Sequence, residues 1–158
     1  MTPTSRHATE YDVPELVRMY RDLEVEQANL RPLWPLADGL DEPIAASFSK
    51  LMQDPESLLV IGEIDEVPLG FCWARSEPLL AQAGGEQVGV IRLIFTEHEA
   101  RGVGVGEAMI LPVLEELRRR GHHLFDARVS PGHRYAKNFF ESNGFSARLI
   151  VMHHNDRG

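Results

Sequence analysis

Cysteine is nearly missing from this chain: Cys72 is the single one among 158 residues. No internal disulfide can form, and a lone cysteine inside an apolar run reads as core before it reads as a reactive thiol. A reducing cytoplasm is the expected setting. Long apolar runs are missing too. Nothing approaches the ~18 residues of a membrane-spanning helix, and the opening M-T-P-T-S-R-H carries no apolar leader region. Positive charge is in short supply. With 16 Lys and Arg against 24 Asp and Glu, the net charge of −8 disfavours a nucleic-acid partner. No His-Glu-x-x-His or paired-cysteine spacing exists, and the neighbours His122-His123 and His153-His154 would face opposite sides of a strand, so no metal is expected.

What is present suits one globular domain over residues 1–158: 43% hydrophobic and 25% charged, enough for a sizeable core. Its centre is the stretch Val88–Arg120. Val90 to Phe95 is a short β-branched apolar run, read as a buried strand. After a polar bend comes R-G-V-G-V-G, Arg101 to Gly106. Ala108, Leu111, Leu114 and Leu117 then recur at helical spacing, and Arg118, Arg119 and Arg120 complement the helix C-terminus. Pro112 inside that helix removes one bond, so a bend is expected there.

Glycines between a strand and a helix let bare backbone approach a ligand, and the first helical N–H groups suit a phosphate. Two phosphate templates fail. A Walker loop needs Gly-Lys-Ser/Thr, but Gly106 is followed by Glu107 and Ala108. In the dinucleotide fingerprint G-x-G-x-x-G the third glycine would fall on Glu107 or Met109. Arg101 to Gly106 does fit Arg/Gln-x-x-Gly-x-Gly/Ala. With N-F-F-E-S-N-G-F at Asn138 to Phe145, the chain resembles the GNAT superfamily of acyl-CoA N-acyltransferases over roughly residues 5–154.

The resemblance implies an α/β fold: a mixed, mostly antiparallel twisted sheet of six to seven strands, with about four helices on its two faces. A splayed central strand would bind acetyl-CoA. Carried over residue by residue, the pyrophosphate falls on the backbone of Arg101, Gly102, Val103, Gly104, Val105, Gly106 and Glu107. The pantetheine arm falls on Ile94, Phe95 and Thr96, and His133 stands where many members have an asparagine contacting it. The implied activity is direct acetyl transfer from acetyl-CoA to a primary amine of a small molecule or peptide, by a monomer or homodimer. A catalytically silent acyl-CoA-binding or regulatory module is the alternative. Residues 1–100 carry 7 basic and 18 acidic residues (−11), and residues 101–158 carry 9 and 6 (+3). The acidic first half either steers a cationic acceptor or is ordinary solvated surface.

The catalytic residues are not legible. Phe140 occupies the position where many members place a tyrosine that protonates the leaving thiolate, and phenylalanine cannot donate. Water, a tyrosine from elsewhere such as Tyr20, or loss of activity would each account for it; Tyr135 lies about 140° round the helix. Asp126 is a weak candidate base, with a structural ion pair as the competing role.

Other elements follow from pattern. Ser5–Thr9 reads as a first strand. Asp12 with Glu15, and Asp41 with Pro43, read as the starts of two helices, joined by a loop over 31–40 in which Trp34 is either a pocket wall or a lid over the core. Ser57–Ile64 and Val67–Ala74 read as a hairpin about Asp65-Glu66. Leu124–Val129 and Ala147–His153 read as the last two strands, separated by a helix opening at Pro131-Gly132.

Overall fold

The computed structural model describes residues 2–30, 39–79, 82, 84–130 and 132–157. Strands β1 (Thr4–His7), β2 (Ser57–Ile64), β3 (Val67–Pro78), β4 (Gln87–Thr96) and β5 (Phe125–Ala127) form one sheet in sequence order. The first four are antiparallel, and β5 runs parallel to β4. Helices α1 (Val13–Leu30) and α2 (Ile44–Gln53) cover one face; α3 (Val105–Arg119) and α4 (Arg134–Ser142) cover the other. None of the described helices is long and apolar enough to cross a membrane.

Strand alternation builds two cores. Leu59 and Ile61 of β2 pack with Leu16, Tyr20 and Phe48 on the α1–α2 side, while Leu58 and Val60 pack with Met109, Ile110 and Leu117 beneath α3. In β4, Arg92 is the extra residue of a bulge, since Trp73 pairs with Leu93 and Ala74 with Ile91. Without it Ile91 and Leu93 would share a face. With it Ile91 joins the α3 core and Leu93 the α1–α2 core.

The hairpin forms as expected, with Asp65 and Glu66 both at positive φ (51° and 66°). Other boundaries moved. Asp12 does not cap α1. A 3-10 turn, Glu10–Asp12, precedes the helix, and the Asp12 carboxylate accepts the Thr9 N–H at 2.8 Å, so the capping box sits one turn earlier. Asp41 does not cap α2 either: Pro43 takes the N-cap position, and the Asp41 carbonyl accepts from the Ser47 hydroxyl at 2.6 Å. α3 runs on through Pro112 without interruption. Trp34 and most of its loop lie outside the described residues.

Among the described residues the sheet has five strands, not six to seven. Leu124–Val129 contributes only the three residues of β5, and Ala147–His153 forms no strand. Leu149, Ile150, Val151 and Met152 are 71–87% exposed. Apolar pattern is necessary for a strand but cannot supply the partner whose N–H and C=O groups complete it. This segment is tied back to β5 through the side-chain pair Arg148–Asp126.

Candidate functional site

β4 and β5 stay together for only three residue pairs, Gly89–Phe125, Val90–Asp126 and Ile91–Ala127. The Arg128 N–H closes the ladder on the Ile91 carbonyl at 3.1 Å. Beyond that rung, residues 92–96 have no neighbouring strand on this side among the described residues. The parting opens a cleft lined by Ile94, Phe95 and Thr96 from β4, Arg101 and Gly106 from the loop and α3, His133, Tyr135, Ala136 and Phe139 from the α4 segment, and Glu26 from α1. Its interior is only about 20 Å³, room for one water. Phe139 narrows it: a Cβ on Gly106 would fall 2.7 Å from Phe139 Cε1, so glycine there lets the ring lie against the start of α3.

The loop into α3 explains two other glycines. Gly102 and Gly104 take φ of 83° and 100°, where a side chain strains the backbone, and nothing crowds the position of a Cβ on Gly102. The first helical bond runs from Ala108 N–H to the Gly104 carbonyl at 3.0 Å. The N–H groups of Val105, Gly106 and Glu107 therefore lack intrahelical acceptors and sit at the positive end of the helix.

Arg101 turns its side chain inward. Its Nε–H donates to the Thr96 carbonyl at 3.0 Å, Nη1 meets Glu26 at 2.5 Å, and the guanidinium lies 4.6 Å from the Tyr135 ring centroid. Its main-chain N–H is taken as well, donating to the His98 carbonyl at 3.3 Å, so the bare backbone offered to a ligand begins at Gly102. Glu26 also accepts from His133 Nε2 at 3.0 Å, while His133 Nδ1 accepts the Ala136 N–H at 3.1 Å and so caps α4. Those two bonds assign the tautomer: Nδ1 is an acceptor, so Nε2 carries the proton. Burial works against the charge on Glu26, yet the bonds from His133 and Arg101 hold its carboxyl down at about 2.

Six of the sequence-predicted cofactor residues, Ile94, Phe95, Thr96, Arg101, Gly106 and His133, thus come together in one cleft. Gly102, Val103 and Gly104 form the loop at its end. Val105 is buried in the α3 core and Glu107 is in the first turn of α3. Phe140 is elsewhere. It is 3% exposed, edge-on to both Phe139 and Phe145 at 5.3 Å, in the core beneath α3. Asp126 is bound by Arg148. Tyr20 is buried, its hydroxyl accepting the Leu40 N–H at 2.8 Å. Glu26, Tyr135, Ala136 and Phe139 line the cleft without having been predicted there. Tyr135, Ala136 and Phe139 share the short helix that His133 caps, whereas the one sequence clue to Glu26 is indirect, its polar neighbour Gln27 in an apolar stripe.

Residues 16–145 match the sequence profile of the acetyltransferase (GNAT) family. The chain belongs to that family. A curated relative, an uncharacterised N-acetyltransferase of Methanocaldococcus jannaschii, is 27% identical over 104 residues; the match takes in 66% of this chain but only 46% of that protein. Among solved structures, a transcriptional regulator from Bacillus halodurans superposes with a TM-score of 0.76 at 25% identity, covering 96% of this GNAT chain and 99% of the other. AAC(6')-Iy, solved with the bisubstrate analogue CoA-S-monomethyl-acetylneamine, superposes over 100% of both chains with a TM-score of 0.75; at 18% identity it supports the fold alone.

Proposed function

We propose that this GNAT-family chain is an acetyl-CoA-dependent N-acetyltransferase acting on a primary amine of a small molecule or peptide. The observation that carries the reading is the parting of β4 from β5 beyond Ile91–Ala127, beside a loop of bare backbone and the open start of α3. The residues present fit such a co-substrate. Main-chain N–H groups from Gly102 to Glu107 would hold a pyrophosphate, and the free edge of Ile94, Phe95 and Thr96 would pair with an amide-bearing arm. His133 would border that arm, its ring held by Glu26 and Ala136. When bound, acetyl-CoA supplies an acyl group activated as a thioester.

The chain's own part is position and polarity. A backbone N–H on the β4 edge would polarise the acyl carbonyl, and the cleft walls would hold a neutral amine against it. A thiol pKa of ~8.5 makes thiolate an adequate leaving group near neutral pH, so protonation by water suffices. The test is calorimetric titration with coenzyme A, followed by thiol release from acetyl-CoA across a panel of amines. Saturable binding and turnover of at least one amine are expected. A folded protein that does not bind coenzyme A would overturn the reading.

A further inference from the structure

Gln27 is a buried polar side chain that the fold leaves unused. It is 2% exposed, and neither its amide oxygen nor its amide nitrogen has a hydrogen-bond partner among the described residues. An amide sealed from water without partners is a standing cost, and native interiors hold few of them. Its surroundings in sequence call for something apolar. Leu16, Met19, Tyr20 and Leu23 form the rest of the same buried stripe of α1, and methionine or leucine at 27 would complete it with equal helix propensity. Local rules broken in this way concentrate at functional positions.

Gln27 does not line the cleft in the free protein, but it follows directly on a residue that does. Arg18 reaches Glu97, just past the end of β4, and two turns later Glu26 reaches Arg101 and His133. The sheet-facing stripe of α1 therefore advances from the core around Phe95 towards the gap between β4 and α4. Gln27 is its last buried member, next in sequence to a residue that lines the cleft.

We infer that Gln27 is a specificity-determining residue of the transferase site, whose amide pairs with a neutral group that both donates and accepts a hydrogen bond: an amide or a hydroxyl of the substrate pair. The inference rests on the acetyltransferase reading above. A neutral partner follows from the chemistry of the side chain, since an amide meets both halves of another amide or hydroxyl and a cation would be better met by a carboxylate. The group can come from the amide-bearing arm of the co-substrate or from the acceptor.

Gln27→Met keeps the length of the side chain and removes both polar atoms, and Gln27→Leu repeats the change with a branched shape. Three measurements separate the outcomes: a melt of the free protein, calorimetry with coenzyme A, and steady-state thiol release with the best amine of the panel. Both variants should melt higher than wild type, by at least about 2 °C, because an unsatisfied amide has gone. If the arm is the partner, coenzyme A affinity falls tenfold or more. If the acceptor is the partner, coenzyme A affinity holds and the KM for the amine rises tenfold or more. Variants that melt lower than wild type would assign the amide to the fold and overturn the inference. So would variants that bind coenzyme A and turn over the amine as wild type does. A wild type that neither binds coenzyme A nor acetylates any amine would overturn the transferase reading itself, and the inference with it.

Discussion

Removing Glu26 should cost the free protein about 3 kcal/mol, and two routes give that figure. The carboxyl is 22% exposed and falls from 4.5 to about 2 in the folded chain. A drop of that size, at ~1.36 kcal/mol per unit, is worth about 3 kcal/mol at neutral pH. Breaking a buried ion pair from one side costs about 3–5 kcal/mol, because the abandoned partner stays buried. Arg101 would keep the Thr96 carbonyl and the faces of Phe95 and Tyr135, so the lower end applies. Urea unfolding of Glu26→Ala at pH 7 should show the loss as a lower midpoint at constant slope. The sign with pH follows from a depressed pKa: this stability is complete above 4.5 and is lost as pH falls towards 2. Roughly 2 kcal/mol of the wild-type advantage should be gone by pH 3. A deficit below ~1 kcal/mol, or one equal at pH 7 and pH 3, would refute the ion-pair account.

Gly104→Val puts a branched side chain at a φ of 100° on the loop that would face pyrophosphate. In the folded variant, calorimetry should show coenzyme A binding weakened tenfold or more, at least ~1.4 kcal/mol. If the −11 balance of residues 1–100 steers a cationic amine, kcat/KM should fall as salt rises from ~0.02 to ~0.3 M, and a flat response would leave that charge as solvated surface. Phe140→Tyr should lower stability by roughly 1–3 kcal/mol without raising single-turnover rate, because its hydroxyl would enter the packed core between Phe139 and Phe145. A faster variant of unchanged stability would instead reveal a vacant proton-donor position.

Local signals carried much of the fold. The β2–β3 hairpin was legible because two β-branched runs flank a two-residue turn, and α3 because glycine, periodicity and terminal arginines agree. Caps were less so. Asp12 reads as a cap, but the 3-10 turn Glu10–Asp12 moves the capping box one turn earlier, to Thr9. The segment Ala147–His153 has the composition of a strand, but composition says nothing of whether a neighbouring edge is available. In the cleft, Arg101, Gly106 and His133 came from motif resemblance. Glu26 did not, because its partner His133 lies 107 residues away and a glutamate among R-D-L-E-V-E looks like any solvated helix face. The readable clue was its neighbour: Gln27 interrupts an otherwise apolar stripe.

Which residues remain free for chemistry then narrows sharply. Glu26 is committed to Arg101 and His133, and both ring nitrogens of His133 are taken. Asp126 is held by Arg148, and Phe140 belongs to the core. On the proposed activity, these assignments leave acid–base help to solvent or to Tyr135 in the cleft wall. The magnitudes make that tolerable. A positioned side-chain acid or base is worth about 10²–10⁴ in rate, or about 3–5.5 kcal/mol, whereas holding two reactants in register is worth about 7–11 kcal/mol. A neutral amine attacking a thioester asks most for the second. Main-chain donors on the free edge of β4 and at the start of α3 are the groups in this cleft whose positions the fold fixes without spending a side chain.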